Sequence, residues 1–339
     1  MNKEQDLSKF TIRTDLIIDD KTVNNKYNKI TTYDDITVSL VNINKNNKEV
    51  INKEEGTYLT IEFNDITDTE NRNKVSKVLI EQIKKMLDIM HIKEDDECLI
   101  VGLGNSKSTP DSLGPKVIEN IIVTRHLFEI NRISSGYRKV SVLLPGVKGT
   151  TGIETSDLIT SIANQIKPRF IIAIDSLASS SIDRLNHTIQ MTDTGIHPGS
   201  GIGNHRKEIS LKTIGIPVLA IGVPTVVESS TIVSDTIDYL FKHISYTKNN
   251  IELSKLTYHR NNYKNKLQNM QLNKEEEHNL LGLLGDLSNA EKRQLISEVL
   301  NSIDYNLMVC PKEIDYLIDK LSILIANSLN SSLHRQINH

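Results

Sequence analysis

The sequence predicts an α/β protein: a three-layer sandwich with a mostly parallel central sheet, helices on both faces, and further helices at the C-terminus. Three observations predict it. Short continuous apolar runs, Cys98-Leu-Ile-Val101, Phe170-Ile-Ile-Ala-Ile174 and Pro217-Val-Leu-Ala-Ile-Gly222, have the pattern of strands buried on both faces. Segments of helical apolar spacing alternate with them, as crossover units require. Gly- and Pro-rich loops punctuate the joins, and 339 residues are ample to bury such a core.

In chain order, residues 1–15 are polar and aperiodic. Ile36–Ile43 and Tyr58–Phe63 alternate apolar and polar residues and predict two strands. From Val75 to Met90 apolar residues recur at helical spacing, and Glu81 with Lys85 adds an i,i+4 pair. Cys98–Val101 predicts a buried strand. A loop over 102–114 follows, then a helix that opens at Pro115 and runs to about Leu127. Val140–Leu144 predicts a strand, Glu154–Ile166 a helix, Phe170–Ile174 and Pro217–Gly222 strands, and residues 231–243 a helix. The Asn/Lys-rich stretch 246–285 predicts a polar insertion or linker. Residues 286–303 and 311–335 return to helical spacing, with Ser288-Asn-Ala-Glu291 as a capping box. The domain reading is a core over 16–245, the insertion over 246–285, and C-terminal helices over 286–339 packed on the core.

Composition narrows the function. A net charge of −3 and a pI near 6.4 leave no basic excess, which speaks against direct nucleic-acid binding. No apolar run approaches the roughly 20 residues that a bilayer needs, and MNKEQDLSKF has no apolar signal region. A cytoplasmic chain without membrane contact is expected. Cys98 and Cys310 make neither a CxxC pair nor a zinc spacing, and Cys98 reads as a buried strand residue. The leading expectation includes no cofactor and no metal.

Two carboxylates stand where such sheets place their chemistry, beyond the carboxyl ends of strands. Asp111 lies on the Gly-rich loop after the first buried strand, and Asp175 directly follows Phe170–Ile174. Either alone could cap a helix; together they could converge over one sheet edge. Like charges held close raise one pKa, so that one group stays protonated while the other activates water. With a histidine such as His197 the same pair could instead hold a divalent metal. Gly102-x-Gly104 is half of a dinucleotide fingerprint, but Lys107 stands where the third glycine belongs. A non-proteolytic ligand-binding module is therefore a further reading. Asp193-Thr-Gly is too short a match to carry weight, and His205-Arg206-Lys207 reads as solvated surface.

Longer strings carry a resemblance. VGLGNSKSTPDSLGP (101–115), RHLFE (125–129), LPGVKGTTGIETSD (144–157), AIDSLASSSIDRLNHTIQMTDTGIHPGSGIGNHRKEIS (173–210), GIPVLAIGVPTVVES (215–229) and NLMVCPKEID (306–315) closely resemble the germination proteases of spore-forming Firmicutes. That family is similar in fold to the hydrogenase-maturation proteases. The resemblance implies an endopeptidase of the spore core that degrades small acid-soluble DNA-coating proteins. It implies an aspartic-type pair on Asp111, in Thr-Pro-Asp-Ser-Leu-Gly, and Asp175, in Ala-Ile-Asp-Ser-Leu. It further implies a zymogen whose propeptide, residues 1–15, is cut between Asp15 and Leu16, and a homotetramer. On this reading the loop 193–203 lines the cleft, with His197, Gly199 and Gly201 as its candidate residues. The chain departs most from the family in 20–55 and 245–275, which read as surface segments.

Overall fold

The computed structural model describes residues 14–20, 23, 27–51, 53–199, 206–249, 272–300 and 307–337. Two compact units divide the chain: Arg13–Val227 with Cys310–His339, and a second built around Glu228–Val309.

The first unit carries an open sheet. Its strands are β1 (Asn28–Tyr33), β2 (Ile36–Ile43), β3 (Gly56–Glu62), β4 (Cys98–Gly102), β5 (Val140–Leu143), β6 (Phe170–Ser179), β7 (Thr188–Thr192) and β8 (Val218–Glu228). They run side by side in the order β1-β2-β3-β7-β8-β6-β4-β5. The half made of β5, β4, β6 and β8 is parallel, as the continuous apolar runs predict. The other half, β7, β3, β2 and β1, is joined antiparallel. The α/β architecture is as expected, and the sheet is mixed.

Helices cover both faces because the strands alternate which residues they offer. Cys98 and Ile100 of β4 face one core with Ile172 of β6 and Leu219 of β8. Against them pack Leu79, Ile83 and Met86 of helix Thr69–Ile89, Val117 of helix Leu113–Ile118, and Ile318, Ile325 and Leu329 of helix Ile314–Leu333. Leu99 and Val101 face the other side with Ile171, Ala173 and Val218, and receive Ile159 and Ala163 of helix Thr155–Ile166. Asp68 opens the long helix, its carboxylate accepting the Asn71 N–H at 2.7 Å. Cys98 is buried, as expected, and burial pushes its thiol up.

Several elements differ from the expected ones. The helix opening near Pro115 ends at Ile118, not Leu127. Asn120 turns its amide back to the Lys116 carbonyl at 3.0 Å, and the β-branched run Ile121-Ile122-Val123-Thr124 follows. Thr124 then donates its hydroxyl to the Arg138 carbonyl, which serves the sheet edge and not a helix. β6 and β8 extend well past their apolar runs. Residues 20–55 are not simply surface, since Ile36, Val38, Val41 and Ile43 of β2 are buried. Within the stretch expected as a linker, Lys274–Leu281 is helical and opens with an Asn273–Glu276 capping box; residues 250–271 lie outside the described ones. The Ser288–Glu291 capping box forms as predicted. Among the described residues no helix is long and apolar enough to cross a membrane.

Candidate active site

The site grows from the place where β4 stops. Gly102, its last residue, pairs with Ile174 of β6, so Asp175 is the first β6 residue beyond the end of its neighbour. From β4 the chain goes to β5 on one side and returns to β6 on the other. Strand order thus reverses here, and a crevice opens at the carboxyl ends. The Leu103 N–H donates to the Ile174 carbonyl at 2.8 Å and holds the departing loop against β6. Asp175 is only 5% exposed and accepts the Ser176 N–H at 2.9 Å. It caps no helix, because β6 continues through it to Ser179.

Asp111 is brought to the same place by a tight turn, Thr109–Asp111, in which Pro110 fixes one backbone torsion. The Asp111 N–H donates to the Ser108 carbonyl and the Asn105 N–H to the Asp111 carbonyl, each at 2.9 Å. From β8, the Thr225 hydroxyl donates to the Pro110 carbonyl at 2.7 Å. Ser112, not Asp111, occupies the N-cap position of helix Leu113–Ile118. Gly104 sits at φ +107°, and a side chain there would collide with the Asp111 carbonyl oxygen.

The electrostatics tie the two carboxyls together. Burial pushes Asp111 up to about 6, against the opposing pull of Arg206 and of the Asn105 N–H. Asp175 is raised well above the usual carboxylate range, first by burial, then by the charges of Asp111 and Asp15; Arg206 and the Ser176 N–H oppose this. Arg206, expected as solvated surface, therefore acts on both acids.

A carboxyl raised in the folded state binds its proton more tightly there than in the unfolded chain. Its contribution to stability is fully present at low pH and is lost as pH climbs to about 6. Asp111→Asn should then be more stable than the parent at neutral pH by on the order of 1–2 kcal/mol. Urea unfolding across pH should show that gap closing in acid.

The segment expected to be processed lies against this site. The Asp15 N–H donates to the Ala178 carbonyl at 3.1 Å, and the Asp15 carboxylate accepts the Ala178 N–H at 2.9 Å. Leu16 is fully buried in the core with Val101, Leu103 and Leu177, and Ile17 is buried against Val41, Ile43 and Tyr58. Gln190 of β7 donates its amide to the Asp15 carbonyl at 3.1 Å and accepts the Ile17 N–H at 2.6 Å. Asp19 ends the segment by accepting the Ser180 N–H at 2.8 Å and pairing with Arg184.

Asp15, Leu16, Asp111 and Asp175 are thus brought together. His197 is exposed, just past an antiparallel bridge between Ile196 and Ile209. Gly199 adopts φ +72° on the same loop, and Gly201 lies outside the described residues. Among the described residues no three His, Cys, Asp or Glu side chains form a metal-holding group, so Asp111, Asp175 and His197 do not make one. Asp193, of the Asp-Thr-Gly triplet, is half-buried and accepts the Thr57 N–H at 2.7 Å, which is a structural role on β3. Sequence reasoning missed Gln190, Ala178 and Thr225. The alternation of Thr188–Thr192 was the one available signal for the first of these.

The chain was compared with known proteins. A family model described as germination protease matches residues 9–339. A germination protease of Bacillus velezensis is 45% identical, covering 99% of this chain and 97% of its own length. Those of Bacillus subtilis and Priestia megaterium are 43% and 42% identical, covering 98% and 99% of this chain and 96% and 97% of their own lengths. A match of this length and identity, over the turn that carries Asp111 and the strand that carries Asp175, places the chain in the germination protease family, and it is a peptidase.

Proposed function

We propose that this chain is an endopeptidase of the germinating spore, made as a zymogen that cuts itself between Asp15 and Leu16. In this reading its substrates are small acid-soluble DNA-coating proteins, its working form is a homotetramer, and it acts in the spore core. The observation that carries the proposal is the Asp15–Leu16 segment bonded to β6 at Ala178, three residues beyond Asp175, whose raised carboxyl feels the charges of both Asp15 and Asp111. An acidic residue before the cut is recognised by the Ala178 N–H, and a bulky apolar one after it by a closed pocket.

The two carboxyls divide the work. Asp175 is more deeply buried and faces two other acids, so it keeps its proton. Asp111 has Arg206 and the Asn105 N–H beside it and ionises first. Ionised Asp111 takes a proton from water as the oxygen attacks the Asp15 carbonyl carbon. Asp175 gives its proton to the Leu16 nitrogen as the C–N bond breaks. The water ends as the new carboxyl of Asp15.

Intact mass before and after incubation across a series of pH values on both sides of about 6 tests this. Loss of Met1–Asp15 is expected, followed by fragmentation of an added small acid-soluble spore protein, and both should survive exhaustive chelation. The rate of self-cleavage should rise as pH increases through about 6, where Asp111 ionises, and fall again once Asp175 loses its proton. A rate that is flat across that interval would count against the pair.

A further inference from the structure

We propose that Gln190 is a catalytic residue of the self-cleavage, its amide N–H binding the carbonyl oxygen of the Asp15–Leu16 bond. This rests on the reading that the bond cut is the one between Asp15 and Leu16.

The placement follows from the sheet. Thr60 of β3, Gln190 of β7, Gly222 of β8 and Asp175 of β6 are successive cross-strand partners. Directly opposed residues point to the same face, so Gln190 and Asp175 share a face. Two strand spacings separate them, about 10 Å between backbones. The residue between them is glycine, and the Leu177 side chain fills the space that a β-carbon there would take. Leu177 packs in one apolar cluster with Leu16, and Gln190 reaches the Asp15–Ile17 segment through its own amide.

The contact is specific in its chemistry. Gln190 is buried and uses both ends of its amide on two successive peptide groups: Nε2 donates to the Asp15 carbonyl oxygen, and Oε1 accepts the Ile17 N–H. The first belongs to the bond to be cut and the second to the next one, on the far side of Leu16. An apolar residue at 190 would leave both unpaired, and an ionised carboxylate could serve only the Ile17 N–H. When water adds to the Asp15 carbonyl carbon, the π pair moves onto the oxygen that already accepts from Gln190. When the C–N bond breaks, that pair returns and Leu16 leaves as an amine with the proton from Asp175. A donor fixed in a buried site before reaction stabilises this charge without reorganisation.

The test is the self-cleavage of the full chain followed by intact mass, in parent, Gln190→Met and Gln190→Glu. Gln190→Met should cut about 10²–10³-fold more slowly. Gln190→Glu keeps the shape of the side chain and can donate to the carbonyl only while protonated. Its rate relative to the parent should therefore drop as pH rises. The other ionisable groups at this end of the site, Asp15, Asp111, Asp175 and Arg206, are common to both chains, and because an ionised glutamate at 190 acts on them too, the ratio is read beside that of the uncharged Gln190→Met, which shows the loss of the donor alone. A purely structural anchor would lower the melting temperature of Gln190→Met and leave the Gln190→Glu ratio flat. A flat ratio, or a folded Gln190→Met that cuts at the parent rate, overturns the proposal. A parent chain that is not cut between Asp15 and Leu16 overturns the processing reading itself, which the parent mass shows before any variant is compared.

Discussion

Asp175→Asn should abolish self-cleavage and leave the fold standing. The two expectations come from the same surroundings. Asp175 is buried and held toward its neutral form by burial and by the charges of Asp111 and Asp15. Asparagine is neutral, of the same shape, and its oxygen still accepts the Ser176 N–H that Oδ1 accepts at 2.9 Å. Nothing charged or paired is lost from the native state, so the melting temperature should stay close to that of the parent. What disappears is the proton that Asp175 gives to the Leu16 nitrogen. Loss of a positioned general acid costs typically 10²–10⁴ in rate, and an amide nitrogen is a poor leaving group without one, so the upper end, about 10⁴-fold, is expected. A time course of intact mass at the pH where the parent cuts fastest measures it. A folded Asp175→Asn chain that released Met1–Asp15 at the parent rate would remove Asp175 from the mechanism.

The two acids were legible in the sequence for a physical reason. A strand buried on both faces must be written as an unbroken apolar run, and the first polar residue past it falls at the carboxyl edge. Asp175 follows such a run directly, and Asp111 lies on the loop that leaves another. The run also misled in one respect: β6 does not end with Ile174 but continues to Ser179, because Ala178 and Ser179 still pair with β8. The antiparallel half was harder. β1 carries mostly exposed residues, and β7 alternates over only five residues and buries its polar ones, Thr188, Gln190 and Thr192, as well as its apolar ones, so neither reads as a core strand. Gln190 was illegible because its meaning lies in a partner 175 positions upstream. Arg206 was hidden for a similar reason. Three adjacent basic residues look like solvated surface until the fold turns one of them toward two carboxyls.

Gly114→Ala is expected to damage stability and activity together, which separates it from the changes at the acids. Gly114 lies in helix Leu113–Ile118 where that helix crosses the end of β4 and β6. A β-carbon there would stand 2.6 Å from the Ile174 carbonyl oxygen and from the Leu103 nitrogen, and nearer still to the Leu103 carbonyl oxygen. All three are backbone atoms, and two of them form the 2.8 Å bond that fastens the β4 loop to β6. No side chain can rotate away, so the helix must lift or the bond must break. Overpacking of this kind costs about 1–3 kcal/mol, with backbone obstacles at the upper end. Asp111 lies just before this helix and moves with it, away from Asp175, and a misplacement of about 1 Å can cost on the order of 10²-fold in rate. Gly149→Ala is the control, since no atom lies within 4 Å of its added carbon. It should change stability by less than about 0.5 kcal/mol and leave self-cleavage intact. If Gly114→Ala matched Gly149→Ala in both measurements, close approach of this helix to the strand ends could not be what aims Asp111 at its partner.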